Sequence, residues 1–358
     1  MRLLVWQWGR RGAGPRYAAW LGEALRRVAP EGAALSLSAQ SELLRGDDPP
    51  RCELPVDTYE SAAGFAAQWL RAPLHVPQLA RAVAALRPDV ALCAMPGPLD
   101  LLMAAALGRA RVPFAVVVHD ADAHPGDGLP LQMPLQRRLL RRADAVVALS
   151  GHVAERLRAS RNGVGKIILR SHLPPFRYGD AAPPRAHGGR MRLLCFGRLL
   201  PYKGLDLLVE ALQRLGPCDG YAMRVVGQGP ESAALQALRA LPGVKVENRW
   251  VPETEIADLL AWADAVVLPY REASQSGAAA TAVAARRYVV ATDVGGLREQ
   301  LGAEPLARLC APTAEGLAAA LLALIASPPH VEASAFDVTA AWDAVAVALC
   351  RDLAALQG

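Results

Sequence analysis

No apolar run in the 358-residue sequence is long enough for a bilayer-spanning helix, which needs about 18–20 residues; Arg, Asp, Pro or Gly interrupts each one. A transmembrane helix is therefore not expected. The N-terminal stretch Met1-Arg2-Leu3-Leu4-Val5-Trp6 lacks a long apolar segment followed by small residues at a cleavage site, so it reads as a first strand rather than an export signal. Cysteine is sparse and scattered. Cys52, Cys93, Cys195, Cys218, Cys310 and Cys350 form no Cys-x-x-Cys pair and sit mostly in apolar stretches, as core thiols of a reducing cytoplasm would. Aromatic residues make up only 5%, and no basic stripe is interleaved with them. The net charge of +5 thus gives little reason to expect nucleic acid and suits an anionic ligand or an anionic membrane surface.

What is present is a regular alternation of short apolar strands with amphipathic helices, the pattern of parallel βαβ winding. The length suits two α/β domains. Residues 1–170 read as an N-terminal Rossmann-like domain and 171–190, rich in Pro, Gly and small residues, as a linker. Residues 191–340 read as a second Rossmann-like domain, and 341–358 as a helix, carrying Trp342, that packs back on the first.

The stretch Gly197-Arg198-Leu199-Leu200-Pro201-Tyr202-Lys203-Gly204 organises the second half. It follows the apolar run Leu193–Phe196 and precedes a helix whose N-cap is expected at Asp206, with Leu207, Leu208, Ala211, Leu212 and Leu215 on one face. A loop between strand and helix aims backbone N–H groups and the positive end of the helix dipole at one spot, and this loop adds the cations Arg198 and Lys203. Such a spot binds phosphate. A second, uncharged anion cradle is expected where Glu272-Ala273-Ser274-Gln275-Ser276-Gly277 opens an Ala-rich helix, although ordinary capping by Ser274 or Ser276 would use the same residues.

In the first half, the Gly-rich loop Gly9–Pro15 follows the first strand and leads to a helix expected to start near Arg16-Tyr17. Gly12, Ala13 and Gly14 could approach a ligand closely, with Arg10, Arg11 and Arg16 nearby. The spacing is not Gly-x-Gly-x-x-Gly, and no acid is placed to hold a dinucleotide ribose. His119-Asp120-Ala121-Asp122-Ala123-His124 follows the strand Phe114–Val118, at the end where doubly wound sheets bind ligands. A polar contact from His119 to a sugar fits this cluster better than a metal, for which nothing fixes a geometry. Arg137, Arg138, Arg141 and Arg142 on a short amphipathic helix could rest on anionic lipid or simply face solvent.

Four ordered motifs, G-R-x-x-P-x-K-G, V-V-G-Q-G-P-E, A-D-A-V-V-L-P-Y and V-V-A-T-D-V-G-G-L, together resemble the C-terminal domain of the retaining glycosyltransferases of family 4, over roughly residues 190–302. In the N-terminal half R-A-D-A-V-V-A-L-S-G-H-V and His119-Asp120 are similar to that family as well. The resemblance implies a GT-B fold, with two Rossmann-like doubly wound parallel-sheet domains facing a central cleft. It also implies transfer of a hexose from a UDP- or GDP-linked sugar to a saccharide or lipid-linked acceptor, in the cytoplasm or peripherally at the inner membrane face, without a metal cofactor. By the same resemblance Gly197, Arg198 and Lys203 bind the diphosphate, Trp250 and Val251 touch the base, and Ser274, Gln275, Ser276 and Gly277 face the phosphates. His119 meets the donor sugar, Glu272 stands near the first of two family glutamates as a catalytic candidate, and Gly12, Ala13 and Gly14 lie near donor and acceptor, where Arg16 could touch an acceptor phosphate. The family commonly carries a second glutamate, which holds the ribose, one helical stretch beyond the first; here Ala280 and Thr281 stand at that place. This departure opens the alternative of a non-catalytic paralogue that binds a nucleotide sugar or scaffolds polysaccharide assembly.

Overall fold

A computed structural model describes residues 1–29, 31–122, 132–160, 165–179, 189–216, 220–327 and 336–357. The chain divides into two compact units. The first holds the described residues up to His172 together with those from Thr339 onward, and the second holds those from Leu173 to Val338. Positions 180–188 of the expected linker, His124 and Cys218 lie outside the described residues.

In the first unit six parallel strands, β1 (Leu3–Gln7), β2 (Ala33–Leu37), β3 (Val90–Cys93), β4 (Phe114–Val118), β5 (Ala145–Ala148) and β6 (Ile167–Arg170), stand in the order β2-β1-β3-β4-β5-β6. β1 to β5 are buried along their whole length. That is why they read as continuous apolar runs: helices cover both faces of a parallel sheet, leaving neither face polar. The order reverses at β1 and β3, so the loops after these strands flank the switch point. The helix Ala13–Val28 starts earlier than expected, directly after Gly12, whose φ of 80° turns the chain into its first turn. The helix Val338–Leu353 buries Trp342, Val345, Ala346, Leu349 and Leu353 in this unit, and Arg27 donates twice to Asp343, at 2.9 and 2.6 Å.

The second unit repeats the plan with β7 (Met191–Arg198), β8 (Tyr221–Gln228), β9 (Val244–Asn248), β10 (Ala265–Leu268), β11 (Tyr288–Thr292) and β12 (Ala307–Cys310), in the order β12-β11-β10-β7-β8-β9. Here the switch point falls between β7 and β10. The helix Leu205–Leu215 buries Leu205, Leu207, Leu208, Val209, Ala211 and Leu212 against this sheet. Its N-cap is Gly204, in the left-handed region with φ 67°, and not Asp206, which lies inside the first turn. Arg271 grips the Asp206 carboxylate there (2.6 Å to Oδ2) and holds it below the usual carboxylate range. No helix among the described residues is long and apolar enough to cross a membrane.

Candidate active site

The second unit's switch point joins Arg198, at the end of β7, and the loop after it with Tyr202 and Lys203 to the loop after β10, Tyr270 to Ser276, which leads into Gly277. Register sets Gly197 beside Gly227 and Arg198 beside Gln228. Glycine lets these loops meet backbone to backbone. A Cβ on Gly204 would overlap the Pro269 carbonyl oxygen and stand only 2.9 Å from its carbon; Gly227 presses likewise on Gly197, Gly229 on Leu199 and Gly295 on Ala273. Any side chain at these points would push the adjoining strand ends or loops apart. Arg271 N donates to Tyr202 O (2.9 Å), Leu199 N to Gln228 O (2.9 Å) and Gly296 N to Ala273 O (2.9 Å) across the same seams.

Two tyrosines line the cationic spot. The Lys203 ammonium lies 3.7 Å from the Tyr270 ring centroid and 4.9 Å from that of Tyr202, and Arg198 Nη2 donates to Tyr202 Oη at 2.9 Å. Tyr270 and Tyr202 are almost fully buried, whereas the Arg198 head reaches the surface. Attraction of the ring faces to the ammonium fixes its place while leaving its positive charge intact for an anion. Sequence reasoning left both tyrosines out of the site, although each stands inside a quoted motif and aromatics are scarce in this chain.

The loop before the helix Gly277–Ala284 is held from beneath. Ser276 Oγ accepts from Ala279 N (3.2 Å) and lies 3.2 Å from Tyr270 Oη. Gln300 grips the Ser276 backbone from both sides, accepting from its N–H at 2.9 Å and donating to its carbonyl at 3.0 Å. Ser276 therefore acts as the cap, and its amide is committed to Gln300. Ser274 is buried beside it, Glu272 and Gly277 are exposed, and the Gln275 Oε1 atom is buried without a hydrogen-bond partner among the described residues. Thr281 is buried and donates to Gly277 O (2.7 Å). Its hydroxyl is spent within the helix.

Beyond β9, Trp250 is 45% exposed, which leaves a flat ring open to stacking, and Val251 is half-buried. Arg249, pinned to Glu255 (2.7 Å) and Glu247 (3.1 Å), anchors this loop. Asn248 accepts from Gly229 N (3.1 Å) and donates to Gly229 O (3.0 Å), welding the loop after β8 to that after β9. Amide side chains of this kind leave no pattern at the sequence level.

In the first unit the loop after β1 wraps a buried amide. Gln7 Oε1 accepts from Gly9 N (2.8 Å), and a Cβ at Gly9 or Gly14 would come within 2.7 or 2.8 Å of Gln7 Nε2. Ala13 and Gly14 open the helix Ala13–Val28, whose first turn has neither a side-chain cap nor an acid. Arg16 stacks on Trp20 (5.8 Å to the ring centroid), Arg10 lies 4.7 Å from the Tyr59 ring, and Arg11 pairs with Glu42 (2.6 Å). His119 closes β4, and its Nε2 stands 3.2 Å from the Ala94 carbonyl in the loop after β3. A carbonyl only accepts, so Nε2 carries the proton and Nδ1 is an acceptor. Burial lowers the His119 pKa, keeping the ring neutral. Asp122 pairs with Arg156 (2.6 Å), and no group of three or more metal-ligating side chains occurs among the described residues.

A buried acid also went unread. Asp100 takes bonds from Trp6 Nε1 (3.2 Å), Gly97 N (2.6 Å) and Cys93 Sγ (3.3 Å) at the β1–β3 switch point, and burial raises its carboxyl to about 6.

Two doubly wound parallel sheets with flanking helices define the GT-B class of fold. Residues 42–167 match the model of Glycosyltransferase Family 4 and residues 190–327 that of Glycosyl transferases group 1, so the chain belongs to this glycosyltransferase family. Relatives include the GDP-mannose-dependent alpha-(1-6)-phosphatidylinositol monomannoside mannosyltransferase of Mycolicibacterium smegmatis, 30% identical over 40% of this chain and 41% of the relative. The lipopolysaccharide core biosynthesis mannosyltransferase of Rhizobium meliloti is 32% identical over 45% and 48%. The matched stretch thus spans about half the length of these curated relatives. Anabaena HepE, solved with UDP-glucose, shares the fold with a TM-score of 0.64 at 19% identity, over 98% of this chain and 95% of that one.

Proposed function

We propose that the protein is a retaining glycosyltransferase that moves a hexose from a nucleotide diphosphate sugar to a saccharide or lipid-linked acceptor. The observation that carries this reading is the pair of cations, Arg198 and Lys203, set against Tyr202 and Tyr270 where the loops after β7 and β10 meet. The donor's diphosphate would sit there, and the nucleobase would stack on Trp250. As the bond between the anomeric carbon and the phosphate oxygen breaks, negative charge grows on the diphosphate, and two preplaced cations stabilise it without a metal ion. The acceptor hydroxyl attacks on the same face and passes its proton to the departing phosphate oxygen. His119, neutral and presenting Nδ1 as an acceptor, suits a sugar hydroxyl that donates; Glu272 would meet the sugar from the loop after β10.

The M. smegmatis relative depends on GDP-mannose and the Anabaena neighbour was solved with UDP-glucose, which supports a purine or pyrimidine diphosphate sugar as donor. Relatives that act on phosphatidylinositol monomannoside and lipopolysaccharide core support a lipid-linked or saccharide acceptor, met on the cytoplasmic side with the exposed Arg137, Arg138, Arg141 and Arg142 against anionic lipid.

A thermal-shift panel of UDP, GDP, ADP and their common sugars on wild type and R198A/K203A tests the reading. One nucleotide should raise the melting temperature by several degrees at saturating ligand and lose that effect in the double variant. A panel without any shift would refute it.

A further inference from the structure

We propose that Trp342, on the C-terminal helix Val338–Leu353, is a positioning residue for His119 and acts through the ring of Tyr17. The inference rests on the reading above that His119 meets the donor sugar, and it adds a residue remote in sequence to the control of that contact.

Three elements of the first unit bring these side chains into successive ring contacts. Tyr17, from the helix Ala13–Val28, meets the His119 ring at 5.3 Å between centroids and 80° between planes. It also meets Trp342 at 5.4 Å and 58°, and Trp342 in turn rests on Trp20 at 5.7 Å and 55°. Tyr17 is 1% and Trp342 3% exposed.

The hydrogen bond from His119 Nε2 to Ala94 O fixes one point of the imidazole. Rotation about that point would swing Nδ1 away, and the edge-on tyrosine ring blocks the rotation. What holds the tyrosine is packing alone, because its buried hydroxyl has no hydrogen-bond partner among the described residues. A phenol without a polar anchor keeps its place only as long as its neighbours fill the space around it. Trp342 is one of those neighbours. Its own helix is tied down by the Arg27–Asp343 pair and by the buried Val345, Ala346, Leu349 and Leu353. Orientation therefore passes from helix anchor to tryptophan, to tyrosine, to histidine.

The test is histidine-selective 15N NMR on the full chain, with the His119 signal assigned by its loss in H119Q, alongside steady-state kinetics of donor turnover. Wild type should show the Nε2–H tautomer at His119. W342L should show mixed tautomers and a kcat lowered by about tenfold or more, with the donor KM within about threefold, because the diphosphate contacts lie on the other unit. Y17L should behave alike, which keeps the test open should W342L not fold. W342F and Y17F keep the rings in place and should retain both the tautomer and kcat. A folded W342L or Y17L with the wild-type His119 spectrum would overturn the proposal. If instead H119Q keeps the wild-type kcat, the donor-sugar reading of His119 fails, and the nitrogen spectra alone decide whether Trp342 orients the ring.

Discussion

Replacing Gly204 by alanine separates two costs that usually arrive together. Gly204 has φ 67°, and Gly216, at the far end of the same helix, has φ 72°. At Gly204, where ψ is 37°, an alanine pays the left-handed penalty of about 1–2 kcal/mol; at Gly216, where ψ is −179°, it enters a region that glycine alone occupies readily, at about 1–3 kcal/mol. At Gly216 nothing stands within 4 Å of the new Cβ, so the penalty is the whole effect. At Gly204 the Cβ overlaps the Pro269 carbonyl, so the loops after β7 and β10 must part, adding about 1–3 kcal/mol on the scale of overpacked cores. Since roughly 2–4 °C of melting temperature accompany each kcal/mol in a domain of this size, G204A should melt about 4–20 °C and G216A about 2–12 °C below wild type. Parting the loops also carries Lys203 away from Tyr270. Calorimetric titration with the nucleotide chosen by the panel should therefore show about tenfold or more weaker binding for G204A, and wild-type affinity for G216A. Equal nucleotide affinity in the two variants would refute the view that this contact holds the phosphate loop in place.

S276A should lower unfolding free energy by about 0.5–2 kcal/mol in denaturant titration, since it removes the cap on the helix Gly277–Ala284. T281V, which deletes a hydroxyl bonded only within its own helix, should leave nucleotide affinity unchanged; a loss of about tenfold or more by calorimetric titration would return Thr281 to the site. Asp100 sets a pH dependence of definite sign. With its folded pKa raised to about 6 from 3.8, the folded state binds more protons than the unfolded one between those values, so the Asp100 contribution to stability falls as pH rises through that window. The difference in unfolding free energy between wild type and D100N should change by roughly 2–3 kcal/mol from pH 4 to pH 6.5, with wild type relatively more stable at the acid end.

The alternation of strands and helices is legible because parallel strands, buried on both faces, read as uninterrupted apolar runs. β6 and β12 escape that reading for the same reason: Ile167–Arg170 and Ala307–Cys310 are outer strands of four residues, only partly buried, and each carries an arginine. The cap expected at Asp206 belongs to Gly204 because a left-handed glycine turns the chain unaided, and the carboxylate is then drawn to Arg271, distant in sequence. Arg198 and Lys203 are readable as a charged loop between strand and helix. Their tyrosine wall is not, since Tyr202 and Tyr270 meet only through the strand order that seats β10 against β7. Gln300 and Asn248 act through backbone atoms, which no spacing rule marks.

The four glycine contacts between neighbouring strand ends and loops carry a consequence for recognition. Where main chain lies against main chain at Gly204, Gly227, Gly229 and Gly295, no loop can shift without moving its neighbour, so the floor is complete before a ligand arrives. A ligand settling there gives up its own freedom but demands little ordering from the protein, which favours affinity at small contact area. Selectivity among ligands is then left to side chains standing clear of the floor, such as Trp250 and Glu272. Variation among related proteins in what they accept should concentrate at such positions and spare the lengths of the loops.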